Sequence, residues 1–144
     1  MFRGRFEHTL DSKGRFSIPS RFRDVLNEHY DSRLVVTTYS SCLVAYPFAE
    51  WRRLEEKVLA LPEFNKDTRA LLRHFYSKAT DCAIDKLGRI LIPPLMRDYA
   101  KLDKDVILVG ALRYIEIWDR GSLLGVEAST SEDYIVNTLE RLGL

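Results

Sequence analysis

The sequence predicts a mainly β fold with added helices, of the α+β class, in which one short strand, turn, strand and helix unit occurs twice. Three observations predict it. Residues 11–26 (DSKGRFSIPSRFRDVL) align without gaps on residues 85–100 (DKLGRILIPPLMRDYA), and seven of the 16 positions are identical, where average composition gives roughly one. Apolar residues alternate with a period of two after each turn and switch to helical spacing between the copies. Hydrophobic residues at 46% and charged residues at 30% of 144 positions describe one ordinary core rather than a disordered chain.

The first unit, residues 1–48, contains the turn Asp11-Ser12-Lys13-Gly14-Arg15 between strand-forming segments. Glycine there supplies a positive φ, and the aspartate bonds turn amides, so a hairpin is expected. Phe16 and Ile18 then alternate with Ser17 as a strand, until Pro19 ends the pairing and opens a helix over residues 21–26. Strands at 34–37 and 43–46 complete the unit.

A connector, residues 49–77, follows. Trp51, Leu54, Val58 and Leu61 recur at helical spacing, Pro62 breaks the run, and Leu71, Leu72, Phe75 and Tyr76 repeat the pattern, which predicts a helical hairpin. Its charged run, Glu50, Glu55 and Glu56 with Arg52, Arg53 and Lys57, is expected on a solvated face laced by pairs three or four residues apart.

The second unit, residues 78–121, repeats the turn as Asp85 to Arg89, the strand as Ile90 and Ile92, the proline as Pro93 and the helix over 95–100. After a two-residue contraction, 106–109 and 115–118 match the later strands of the first unit. In the tail, residues 122–144, Ser129-Thr130-Ser131-Glu132 reads as a capping box ahead of Ile135, Leu139 and Leu142 on one helical face.

Several functional classes lack an anchor. Cys42 and Cys82 show no CxxC spacing, and His8, His29 and His74 have no partner at ligand spacing, so neither a metal nor a disulfide framework is expected. The chain carries no HExxH, GxSxG, GxxxxGK or GxGxxG, which leaves no basis for an enzyme, a cofactor or a small-molecule substrate. Trp51, Phe75, Tyr76 and Trp118 are expected to pack in the core rather than stack on bases. The opening MFRGRFEHTL interposes charge where a signal peptide needs an apolar run, and no segment approaches the roughly 18 apolar residues of a membrane span. A reducing cytoplasm without a membrane partner is expected.

Net charge is only +1, but its distribution is uneven. The first 24 residues hold Arg3, Arg5, Lys13, Arg15, Arg21 and Arg23 against Glu7, Asp11 and Asp24. Arginine's planar fork donates two parallel hydrogen bonds to a phosphate or to the O6 and N7 of guanine. As a mere turn staple, an exposed Asp–Arg pair contributes about 0–1 kcal/mol, which does not account for its repetition.

MFRG at the start, LDSKGRFSIPSRFR at 10–23, CLVAYPFAEW at 42–51 and DKLGRILIPPLMR at 85–97 together resemble the MraZ family of bacterial transcription regulators, which carry two tandem AbrB/SpoVT-type domains. The resemblance spans essentially the whole chain. It implies that swapped-hairpin units, normally contributed by two chains, come here from the two halves of one, forming a single pseudo-two-fold barrel. It further implies binding of direct repeats in double-stranded promoter DNA, mainly as a repressor of the division and cell-wall gene cluster that includes the regulator's own operon. The DNA-contacting turn carries over to Asp11 and Arg15, and to Asp85 and Arg89; the charge distribution adds Arg3, Arg5, Lys13 and Arg21 as cations bordering the same groove. Lys13 and Arg21 are answered by Leu87 and Leu95, so Arg15 is the stronger candidate of the two arginines. A homo-oligomeric ring is implied, whose subunits share one orientation and suit direct repeats, as is a cytoplasmic, nucleoid-associated location. The competing reading is an AbrB-type protein-interaction module of the antitoxin kind.

Overall fold

The computed structural model describes residues 1–144. Eight strands and six helices run in the order β1 (Arg5–Thr9), β2 (Arg15–Ser17), α1 (Ser20–His29), β3 (Arg33–Tyr39), β4 (Cys42–Pro47), α2 (Phe48–Leu59), α3 (Lys66–Leu71), β5 (Thr80–Ala83), β6 (Arg89–Leu91), α4 (Pro94–Ala100), β7 (Asp105–Gly110), β8 (Ile115–Asp119), α5 (Arg120–Ala128) and α6 (Glu132–Arg141). Residues Leu72–Tyr76 extend α3 as a π-helical turn. The fold is α+β and mostly antiparallel, as the sequence predicts.

One six-stranded sheet has the order β1-β7-β8-β4-β3-β5, and β2 pairs with β6 in a separate two-stranded ribbon. The exchange between halves is explicit in the register. β1 of the first unit pairs with β7 of the second (Glu7 opposite Ile107), and β5 of the second pairs with β3 of the first (Asp81 opposite Val35). Equivalent residues meet each other where the pseudo-two-fold axis crosses the strands, at Phe16 opposite Ile90 and at Val44 opposite Glu116.

The expected hairpin is therefore only a turn. Asp11 N–H donates to the Arg15 carbonyl at 2.8 Å and Asp85 N–H to that of Arg89 at 2.8 Å. The flanking strands then part, each to pair with the other copy.

The main core lies between the sheet and a layer made of the ribbon, α1 and α4, and contains Phe2, Phe16, Ile18, Phe22, Leu26, Ile90, Ile92 and Met96 against the sheet's Val36, Leu43, Leu108 and Ile117. On the opposite sheet face, Val44, Ile107, Trp118 and Leu123 form a smaller cluster beside Phe75 and Tyr114. Trp51 is buried and packs on Phe75 and Tyr76 with centroids 5.7 and 5.0 Å away, which is core packing as expected.

Three local features differ from the sequence reading. Glu50 is buried rather than solvated, because it accepts hydrogen bonds from Tyr30 Oη at 2.9 Å and Arg53 Nη1 at 3.3 Å. The cap of the last helix is Ser131, whose Oγ accepts from Tyr134 N–H at 3.1 Å. Ser129 is unavailable for that role because its hydroxyl donates to the Val126 carbonyl at the end of α5, a helix capped by Asp119 that two glycines obscure in the sequence. Leu61 lies beyond the end of α2 and is exposed.

Candidate nucleic-acid interface

Each turn is built by its aspartate. Asp11 Oδ1 accepts the backbone N–H groups of Lys13 and Arg15, both at 2.9 Å, and Oδ2 accepts Arg15 Nε at 2.8 Å. Asp85 repeats the pattern with Leu87 and Arg89 N–H groups at 2.9 Å and Arg89 Nε at 3.1 Å. Donation from these amides, with the arginine beside it, lowers the Asp11 carboxyl from its ordinary value to about 2 and lowers Asp85 as well. Both carboxylates stay ionised at any physiological pH. Only Nε of each arginine is engaged, so the two terminal nitrogens of each guanidinium have no partner in the chain.

The ribbon turns the two arginines the same way. Phe16 and Ile90 point into the core, and directly paired residues of an antiparallel ribbon share a face. Arg15 opposite Leu91, and Ser17 opposite Arg89, consequently make up the outward face. Arg15 and Arg89 are diagonal neighbours there, a relation that separates Cα atoms by about 7–8 Å.

Gly14 and Gly88 hold φ of +86° and +77°, and a Cβ at either position would sit 2.7–2.8 Å from the guanidinium group of Arg97 or Arg23 respectively. Arg97 and Arg23 each donate Nε to a carbonyl of their own copy, Ile92 at 3.0 Å and Ile18 at 3.2 Å, while lying across the other copy's turn. These arginines clamp the two turns together. The signal for them was their identity in both copies; what the sequence lacked was the exchange that sends each to the opposite turn.

The other sequence-predicted residues are distributed. Lys13 is exposed in the first turn, and Arg21 is exposed on the first turn of α1, beyond the ribbon end where Ser17 meets Arg89. Arg3 and Arg5 are not brought to the ribbon, because β1 carries the chain away from the turn. Arg3 adjoins Phe2, which is bridged to Leu112, and Arg5 donates Nη1 and Nη2 to Glu127 of α5 at 3.0 and 2.7 Å. Cys42 and Cys82 are buried, and burial pushes their thiols up to about 12 and about 11. Such thiols are poor nucleophiles. Groups of three or more His, Cys, Asp or Glu residues arranged to hold a metal are absent, and no helix is long and apolar enough to cross a membrane.

An exchanged pair of strand–turn–helix units with two Asp-stapled arginines on a shared ribbon defines a tandem, pseudo-symmetric turn protein. The family model for MraZ protein, labelled antitoxin-like, matches this chain twice, over residues 1–74 and 75–133. The chain is 42% identical to the transcriptional regulator MraZ of Alkaliphilus metalliredigens over the full length of both proteins, and 43% identical to that of Desulfitobacterium hafniense over 99% of this chain and 96% of the relative. It is 46% identical to the transcriptional regulator MraZ of Syntrophobacter fumaroxidans over 84% of this chain and 81% of the relative. The chain belongs to the MraZ family.

Proposed function

We propose that this chain is a sequence-specific, double-stranded DNA-binding transcription regulator, acting mainly as a repressor on direct repeats in the promoter of the division and cell-wall gene cluster that includes its own operon. The observation that carries the reading is the outward display of Arg15 and Arg89 on one two-stranded ribbon, each fixed through Nε with its terminal nitrogens unused. A ribbon of two strands fits the major groove, about 12 Å wide, and an arginine fork aimed into it meets the O6 and N7 of guanine. The relatives' name, transcriptional regulator, supports the same reading.

Arg15 reads the site, with Lys13 contacting phosphate beside it and Arg21 contacting phosphate at the ribbon end where Ser17 meets Arg89. Arg89 is the subordinate contact, since its turn carries Leu87 where the first copy has Lys13. Asp11 and Asp85 position the arginines. Arg3 reaches phosphate outside the ribbon, and Arg5 joins only by releasing Glu127. Several copies, arranged head to tail in a ring, align their ribbons along successive direct repeats. The protein works in the cytoplasm on the nucleoid, without cofactor, membrane or small-molecule substrate.

A second reading, a protein-interaction module of the antitoxin kind, draws support from the antitoxin-like label of the family model. Selection of bound fragments from genomic DNA separates the two. Enrichment of tandem repeats upstream of the division cluster supports the regulator, a palindromic consensus overturns the ring, and no enrichment together with a stoichiometric co-purifying small protein supports the module.

A further inference from the structure

The pseudo-two-fold relation makes each half a reference for the other. In the first half, α1 presents Phe22 to Phe2 and Phe6, with ring centroids 5.5 and 5.1 Å away, and Phe2 is fully buried. By the 74-residue offset that aligns Asp11 with Asp85, the counterparts are Met96 on α4, Tyr76 and Thr80. Tyr76 packs instead against Trp51, with centroids 5.0 Å apart, and Thr80 is short and polar. Beside α4 there remains a groove of 640 Å³ lined by Leu95, Met96 and Tyr99, with Thr38, Lys78 and Asp98 also on its walls. Leu95 is 84% exposed, where the first copy has Arg21.

The chain carries a second uncovered apolar surface. None of the residues of α6 is buried, and Ile135, Leu139 and Leu142 lie along one face, beside exposed Tyr134 and Val136. A ten-residue helix is too short to persist in water on its own propensity, so its apolar face needs a cover. Charge matches the two surfaces. α6 carries Glu132, Asp133 and Glu140 against Arg141, while Lys78 and the adjacent Lys101 outnumber Asp98 beside the groove.

We infer that α6 of one copy docks in the α4 groove of the next, its apolar face taking the place that Phe2 and Phe6 fill in the first half. The contact joins two different surfaces, so repeated copies propagate in one direction, and a rotation that closes makes them the ring of the proposed function. The inference rests on the ring reading and supplies the surfaces that build it.

Light scattering on purified full-length variants tests it. Leu139→Glu and Leu95→Glu, both at exposed positions, are each expected to reduce the assembly to single chains with an unchanged circular dichroism melt, and Leu59→Glu, 83% exposed on α2, is expected to leave it intact. Mixing Leu139→Cys protein with Leu95→Cys protein under mild oxidation is expected to give a covalent pair that neither forms alone, since Cys42 and Cys82 are buried. An assembly that survives both glutamate variants overturns the inference and leaves the ring standing. Preferential cross-linking of Leu139→Cys to itself overturns it in favour of a two-fold contact. A wild-type protein that is a single chain overturns the ring and the inference together.

Discussion

Asp11 sets the geometry on which Arg15 depends, and its titration reports that role. With the folded carboxyl lowered to about 2 against an ordinary 3.8, the staple contributes stability above about pH 4 and loses it as pH falls through about 2. Carbon-detected NMR of Asp11 is expected to show a midpoint near 2, and a midpoint near 3.8 contradicts the staple. Gly14→Ala is expected to cost about 1–2 kcal/mol from its left-handed backbone alone, with further loss because Arg97 must move aside, measured by urea unfolding. At this scale the sequence was informative where residue type dictates conformation, as in Asp-x-x-Gly-Arg. It was silent on where Arg23 and Arg97 lie and on the Arg5–Glu127 pair, and it placed Glu50 on a solvated face, since each depends on which distant element lies across from it.

Elements repeat the lesson in a different form. Local periodicity located the ribbon strands, the helices after the two prolines and the helical connector, because alternation and proline act within a few residues. Pairing partners were legible only through the resemblance, as nothing local tells β1 to pair with β7 rather than β2. Helix α5 escaped notice because Gly121 and Gly125 dilute its pattern, and its presence shifted the cap of α6 to Ser131. Ser131→Ala is expected to destabilise α6 by about 1 kcal/mol, seen as faster amide exchange confined to that helix. The β3–β4 loop holds Ser40 and Ser41 at φ of +46° and +73°, the two-residue turn that favours Asn-Gly. Replacing the pair by Asn-Gly relieves the left-handed backbone cost and is expected to raise the denaturation midpoint, by about 1 kcal/mol of stability.

Across the whole molecule, exchange of β1 and β5 makes each half complete only in company. A fragment of residues 1–77 is expected to be unfolded as a single chain, and to fold only by pairing with residues 78–144 or with a second copy of itself. A folded monomeric fragment in circular dichroism and ultracentrifugation contradicts the exchange. The same exchange places the two arginines on one ribbon, which is the link between fold and proposed function: two stapled turns form the single surface proposed to face DNA. The most direct measurement of that claim is fluorescence anisotropy of a duplex carrying the promoter repeats at one fixed salt concentration, with wild type, Arg15→Ala and Arg53→Ala. Loss of a two-pronged base contact is worth about 1–3 kcal/mol, so Arg15→Ala is expected to bind about 5- to 150-fold more weakly while Arg53→Ala matches wild type. Equal affinity of Arg15→Ala and wild type would contradict the assignment of the ribbon as the DNA-reading element.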